Sequence, residues 1–104
     1  MGLDIWLTKV KEVEVYDGNF THNTTPMWKE AGIYDALYNS AEKTAEEVLP
    51  ALEKGLKDMQ DNPEKYEAMD PENGWGKYED AMPFLEKLVK AFKEYPDGKI
   101  GVWK

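Results

Sequence analysis

One short segment, Asn19-Phe20-Thr21-His22-Asn23-Thr24-Thr25-Pro26, gathers uncharged polar side chains that could bind or react. If residues 19–23 are extended, side chains alternate, so Asn19, Thr21 and Asn23 share one face while Phe20 and His22 share the other. Thr24 or Thr25 is then expected to cap a helix whose first turn carries Pro26, where a missing N–H costs nothing. Such a helix start offers unpaired N–H groups and a partial positive charge, which suits an anion. The plainer reading of the same residues is a hydrogen-bonded corner that pins strand to helix.

A second segment, Asn73-Gly74-Trp75-Gly76-Lys77-Tyr78, also leads into an expected helix. Two glycines around a tryptophan let the backbone approach a ligand while the indole offers a stacking plane. Lys77 adds a compact positive charge. The competing reading is a tryptophan that plugs the core, with glycines permitting a tight turn. Trp28 is either a core residue or a pocket wall, and Trp6 and Trp103 are expected to pack on a sheet. The candidate ligand-binding residues are therefore Asn19, Thr21, His22, Asn23, Thr24, Trp28, Trp75, Lys77 and Tyr78.

No catalytic residue is assigned. His22 is the sole histidine and Ser40 the sole serine, so a serine-type triad lacks its parts. Asp17, Glu30 and Asp35 are carboxylates near His22 in sequence, but their spacing matches no metal-ligand pattern. The loop from Asp70 to Asp80 fails the calcium-loop template, because Trp75 and Gly76 fall where ligands are wanted. No metal and no cofactor is expected.

These segments must be positioned by the rest of a chain of 104 residues, read as a single domain spanning 1–104. Cysteine is absent, which excludes disulfides and thiolate sites. No apolar run approaches the ~20 residues that span a bilayer, and the N-terminus lacks the features of a signal peptide. A cytoplasmic location without membrane association is expected. The net charge is −8 and every basic residue is lysine. Without arginine or a basic run, direct nucleic-acid binding is not expected. The acids are interspersed with lysines at helical spacing, which reads first as a solubilising surface.

The periodicities predict an α+β fold. Residues 3–8 alternate as a half-buried strand, and Glu12 to Tyr16 alternate again before an expected turn at Asp17-Gly18, with 19–23 completing a short ribbon. A first helix is expected from Pro26 to Tyr38, weakened modestly by Gly32. Thr44-Ala45-Glu46-Glu47 has the form of a capping box and opens a second helix, bent at Pro50 and stopped by Asn62-Pro63. Tyr66 is expected to anchor a short helical turn within 63–76. A third helix runs from Lys77 to Glu94, and Tyr95-Pro96-Asp97-Gly98 signals a turn into a last strand. The architecture expected is three main helices on a small antiparallel sheet that pairs the N- and C-terminal strands. Leu49 to Lys54 and Met82 to Lys87 echo each other 33 residues apart, read as two helices solving one packing problem.

The first strand, the Asn-Phe-Thr-His-Asn stretch, Ala31-Gly32-Ile33 and Asn73-Gly74-Trp75-Gly76 together resemble a group of small bacteriophage and prophage proteins. That group shows an Asn-x-Thr-x-Asn strand leading into a helix and a later Gly-rich step. The resemblance covers most of the chain and implies an accessory role, with no catalytic residues to carry over. Two readings of function follow. In the first, the chain binds and sequesters a small anionic, nucleotide-like ligand, as a sponge for an immune signalling nucleotide would, and forms a homodimer around the pocket. In the second, its acidic surface, including Glu46, Glu53, Glu64, Glu67, Glu79 and Glu86, blocks a basic surface of a host defence protein, as a DNA mimic would.

Overall fold

The computed structural model describes residues 2–9 and 13–104. Leu3, Ile5 and Leu7 are fully buried while Asp4, Trp6 and Thr8 between them are half-buried, so the two-residue period makes β1 (Gly2–Lys9) a one-sided strand. It is the central strand of three. β2 (Val13–Thr21) and β3 (Lys99–Trp103) flank it, both antiparallel. Leu3, Ile5 and Leu7 stand opposite Phe20, Gly18 and Tyr16, and Ile5 and Leu7 also stand opposite Val102 and Ile100. The N- and C-terminal strands are thus paired, as expected for the α+β fold.

The turn expected at Asp17-Gly18 does not form. Both residues lie inside β2, opposite Trp6 and Ile5, and the antiparallel pairing with β1 runs on to Val13 opposite Lys9. Glu12, the expected start of this strand, lies outside the described residues. Gly18 has a packing role: a Cβ there would sit 2.6 Å from the Tyr16 hydroxyl, so the glycine lets the Tyr16 ring fold over the strand. A register shift between Leu7 and Thr8 marks a bulge in the pairing.

The first helix is also shorter than expected. It divides into α1 (Thr25–Glu30) and α2 (Tyr34–Tyr38). Gly32 adopts φ +77°, the Ile33 N–H bonds the Trp28 carbonyl at 2.9 Å, and the Gly32 N–H bonds that of Lys29 at 3.1 Å. This double closure is a Schellman stop, so Gly32 ends the helix where a mere weakening was expected.

The capping box opens α3 (Ala45–Asp61) as predicted, with the Glu47 carboxylate accepting from the Thr44 N–H at 2.7 Å. Ala45 and Glu46 donate their N–H groups to the carbonyls of Gly98 and Pro96, which docks the helix start on the turn before β3. A short α4 (Pro63–Glu67) buries Tyr66, whose hydroxyl donates to Asp58. Then α5 (Tyr78–Glu94) packs along α3. Each long helix has 17 residues with a proline at its sixth position, Pro50 and Pro83, both exposed. The carbonyl that each proline leaves unbonded can therefore take water, and the helix continues through it.

Helices and sheet meet in one core of aliphatic side chains around Trp28, Tyr66 and Phe92. Gly55 of α3 is where that core is tightest. A Cβ there would overlap Ile33 Cγ2 and sit 3.0 Å from the Ala31 carbonyl oxygen. Gly-to-Ala in a helix interior ordinarily stabilises by ~1 kcal/mol. Here the sign should invert, because overpacking a filled core costs ~1–3 kcal/mol. Gly55→Ala is expected to lower the denaturant midpoint in urea unfolding, and a raised midpoint would show that the Ile33 turn yields.

Candidate functional site

The two polar segments meet. Asn23 Nδ2 donates to Asn73 Oδ1 at 3.3 Å, and the buried Thr24 hydroxyl donates to the Gly76 carbonyl at 2.7 Å. The same Asn73 oxygen accepts from the Trp75 N–H at 2.9 Å, closing an Asx turn, while the Gly74 N–H bonds the Pro71 carbonyl at 3.1 Å. Gly74 and Gly76 carry φ values of +77° and +83°. Gly76 is buried against Thr21 and Thr24, where a Cβ would lie 2.6 Å from Thr21 Cγ2. Glycine is thus required at 76 both by backbone angle and by space.

This pinning holds the loop while leaving its tryptophan outside. Trp75 is 72% exposed, so the reading of it as a core plug is overturned. Its neighbours Asn73 and Gly76 are bonded to Asn23 and Thr24 instead. Thr21, Asn23 and Thr24 form a hydrogen-bonded corner, but Asn23 and Thr24 tie it to the 73–76 loop where a strand-to-helix pin was expected.

The expected alternation over 19–23 holds only to Thr21. Asn19 donates to Asp4 at 2.7 Å, and Phe20 points into the core, stacked on Phe84 with centroids 4.9 Å apart. The chain then leaves the sheet in a 3-10 turn over His22–Thr24, capped by the Thr21 hydroxyl accepting from the Asn23 N–H at 3.3 Å. Thr24 is the N-cap of α1 but makes no side-chain capping bond there, and its hydroxyl donates to the Gly76 carbonyl. Trp28 is fully buried beside Phe20 and Phe84, a core residue with no face toward a ligand.

His22 belongs to a different cluster. Its Nδ1 lies 2.9 Å from the Tyr38 hydroxyl, and Tyr38 stacks on Tyr34 at 4.6 Å with Lys29 over the Tyr34 ring at 5.0 Å. Among the carboxylates considered near it, Glu30 pairs with Lys65 and Asp35 accepts from Asn39, while Asp17 stands on the sheet. Among the described residues no three histidine, aspartate or glutamate side chains converge as a metal site requires.

The start of α5 is occupied from within. Asp70 accepts the Tyr78 N–H at 2.8 Å, and Glu79 and Asp80 fill the first turn. These carboxylates take the positive end of the helix that an external anion would use. The Tyr78 hydroxyl is turned inward to the Met59 carbonyl at 2.7 Å. Beside the loop, Glu67, Asp70, Lys77, Tyr78, Glu79 and Met82 line a surface cleft of about 340 Å³, with three carboxylates against one lysine. Asp70 and Asn73 are the residues that sequence reasoning left off the site. The signal for Asn73 was its position two residues before Trp75, where an asparagine commonly closes a turn.

Two measurements test this geometry. Thr24→Val should cost ~1–2 kcal/mol, since it leaves the buried Gly76 carbonyl unpaired, and should speed amide exchange at Gly76 and Lys77. Unchanged exchange would show that the loop holds without Thr24. Burial, with the Tyr34 phenol adding to it, pushes Tyr38 from its ordinary 10.0 up to about 12. The unfolded chain therefore ionises this phenol first, so its contribution to stability is whole below pH 10 and is lost as pH rises toward 12. The melting temperature should fall over that interval, and less so in Tyr38→Phe. An equal fall in both would assign the effect elsewhere.

No helix among the described residues is long and apolar enough to cross a membrane. No family model, curated protein or solved structure matches the chain.

Proposed function

We propose that this chain is a recognition protein that docks on a basic surface of a partner protein through the Trp75 loop. The observation that carries the reading is an indole, 72% exposed, held out by a loop whose neighbours are pinned by Asn23 and Thr24. A tryptophan on a pinned loop loses little backbone freedom on binding, which is the character of an interface anchor. The adjoining cleft carries Glu67, Asp70 and Glu79 against Lys77, which selects a cationic counterpart. A net charge of −8 acts in the same direction at longer range. The resemblance to phage accessory proteins supports a host defence protein as that partner and the host cytoplasm as the setting.

A second reading keeps the same loop for a small nucleotide-like ligand. It is favoured by the open Trp75 face beside Lys77, with Gly74 allowing close backbone approach. Against it stand the carboxylates that already occupy the α5 N-terminus. A shared pocket in a homodimer belongs to this reading.

The test is capture from a bacterial lysate, with wild type, Trp75→Ala and the double variant Glu67→Lys, Glu79→Lys as baits. A partner held by wild type, released by salt and lost with both variants is the expected result. A partner held equally by all three would overturn the reading. A thermal-shift screen with linear and cyclic nucleotides runs beside it. A ligand at ~100 times its Kd adds about 2.7 kcal/mol, or roughly 10 °C in a domain of this size. Such a shift, absent in Trp75→Ala, would give the site to a nucleotide.

A further inference from the structure

The sheet has a second face. β1, β2 and β3 turn Leu3, Ile5, Leu7, Phe20 and Ile100 toward the helices, so the residues between them face away. Among the described residues this outer face carries two tryptophans, Trp6 at the centre and Trp103 on the edge, the latter 71% exposed. Two indoles set among the polar residues of this face depart from the wholly polar surface that an antiparallel sheet ordinarily shows to water.

The register gives these indoles specific neighbours. Trp6 stands opposite Asp17 on β2 and opposite Gly101 on β3, and Trp103 stands opposite Asp4. Each tryptophan therefore has an aspartate as its direct cross-strand neighbour, with Cβ atoms roughly 5 Å apart. Gly101 is the seat of the Trp6 ring: a Cβ at 101 would overlap the indole, which lies across the β3 backbone. Asn19 holds the Asp4 carboxylate from the far side with its amide at 2.7 Å. Glu14 adds a third acid, and the lysine of this face, Lys99, is engaged by Glu42.

We propose that this outer face is a docking surface for a basic, extended segment of a partner protein, with cationic side chains at alternate positions. The charge chooses the class. Carboxylates beside both tryptophans repel nucleic acid and acidic chains, whereas a guanidinium both stacks on an indole and pairs with a carboxylate. The spacing chooses the form. Trp6 and Trp103 are diagonal neighbours, roughly 7–8 Å apart. Side chains two apart on one face of an extended strand are separated by roughly 7 Å, so alternate arginines or lysines reach both Trp-Asp pairs together. The inference rests on the cationic partner of the proposed function and gives that partner a second contact, on the sheet, distinct from the Trp75 loop.

The experiment is a fluorescence titration of the full chain with two octapeptides, one alternating arginine and threonine, the other glutamate and threonine. It is run at low and high salt on wild type, Trp103→Ala, the double variant Asp4→Asn, Asp17→Asn, and Trp75→Ala. The side chains removed are exposed or half-buried, and each variant's melting temperature is checked against wild type. Expected is binding of the arginine peptide alone, weakened about tenfold or more by salt. Trp103→Ala and the Asp4/Asp17 variant should each weaken it by about fivefold, the scale of one lost cation–π or ion-pair contact. No binding, equal binding of both peptides, or loss in Trp75→Ala alone would overturn the proposal. So would dimerisation of the free chain that Trp103→Ala abolishes in sedimentation, since a second copy would then own the face. A loss at Trp75 with none at Trp103 removes the sheet contact and leaves the proposed function standing, whereas absence of any partner in the lysate capture removes the proposed function and leaves the peptide result as it is.

Discussion

Burial of Leu3, Ile5 and Leu7 on one face of the central strand is the constraint on which the rest of this molecule depends. Because β1 lies between β2 and β3, its alternation fixes which residues of both neighbours point inward. A slip of one residue would bury Asp4 and Trp6 and expose the aliphatic row. The helices follow from this choice, since α3 and α5 must cover the row and can do so only from one side. The opposite face is then left open, and the same pleat that sends the aliphatic row into the core sends the tryptophans to the surface. Ile5 and Trp6 are neighbours in sequence with opposite fates, decided by the pleat alone.

The second organising feature is the use of helix ends. The start of α3 is closed by Glu47 and by the carbonyls of Pro96 and Gly98, and that of α5 by Asp70 with its own first-turn acids. Contacts with Pro96, Gly98 and Asp70 join each helix to another part of the chain, so they fasten the fold while removing the positive poles from use by ligands. An acidic protein that neutralises its own helix N-termini has less to offer an anion than its capping sequences suggest. In the proposed reading, recognition is left to exposed indoles with carboxylates beside them, which favours cations. The Trp75 loop and the sheet face share this chemistry although they are built differently, one from pinned turns and the other from strand register.

The two corrections to the expected fold have local causes. Asp17-Gly18 is a strong turn signal in isolation, but the glycine serves the Tyr16 ring inside a strand that β1 holds extended. Gly32 reads as a mild defect in a helix interior, yet with Ile33 after it to enter the core it supplies a Schellman stop. In each case a single glycine had two physical uses, and the contact that chose between them lies outside the segment.

What the sequence determined by itself was everything carried by interactions within a turn or two. The strand and helix periods, the Thr44–Glu47 capping box, the Tyr66 helical turn, the Tyr95–Gly98 turn and the acidic, cysteine-free composition are of this kind. From them the α+β class and the pairing of terminal strands followed, since a one-sided first strand and a lone last strand need each other. The tertiary structure alone decided where the side chains of the candidate site spend their bonds. Thr24 reaches Gly76 and Asn23 reaches Asn73 across some fifty residues of chain. His22 turns to Tyr38, Trp28 goes inside and Trp75 stays out. Residue type and spacing limit what a hydroxyl or an indole can do, but its partner is set by which distant backbone the packed core brings within about 3 Å.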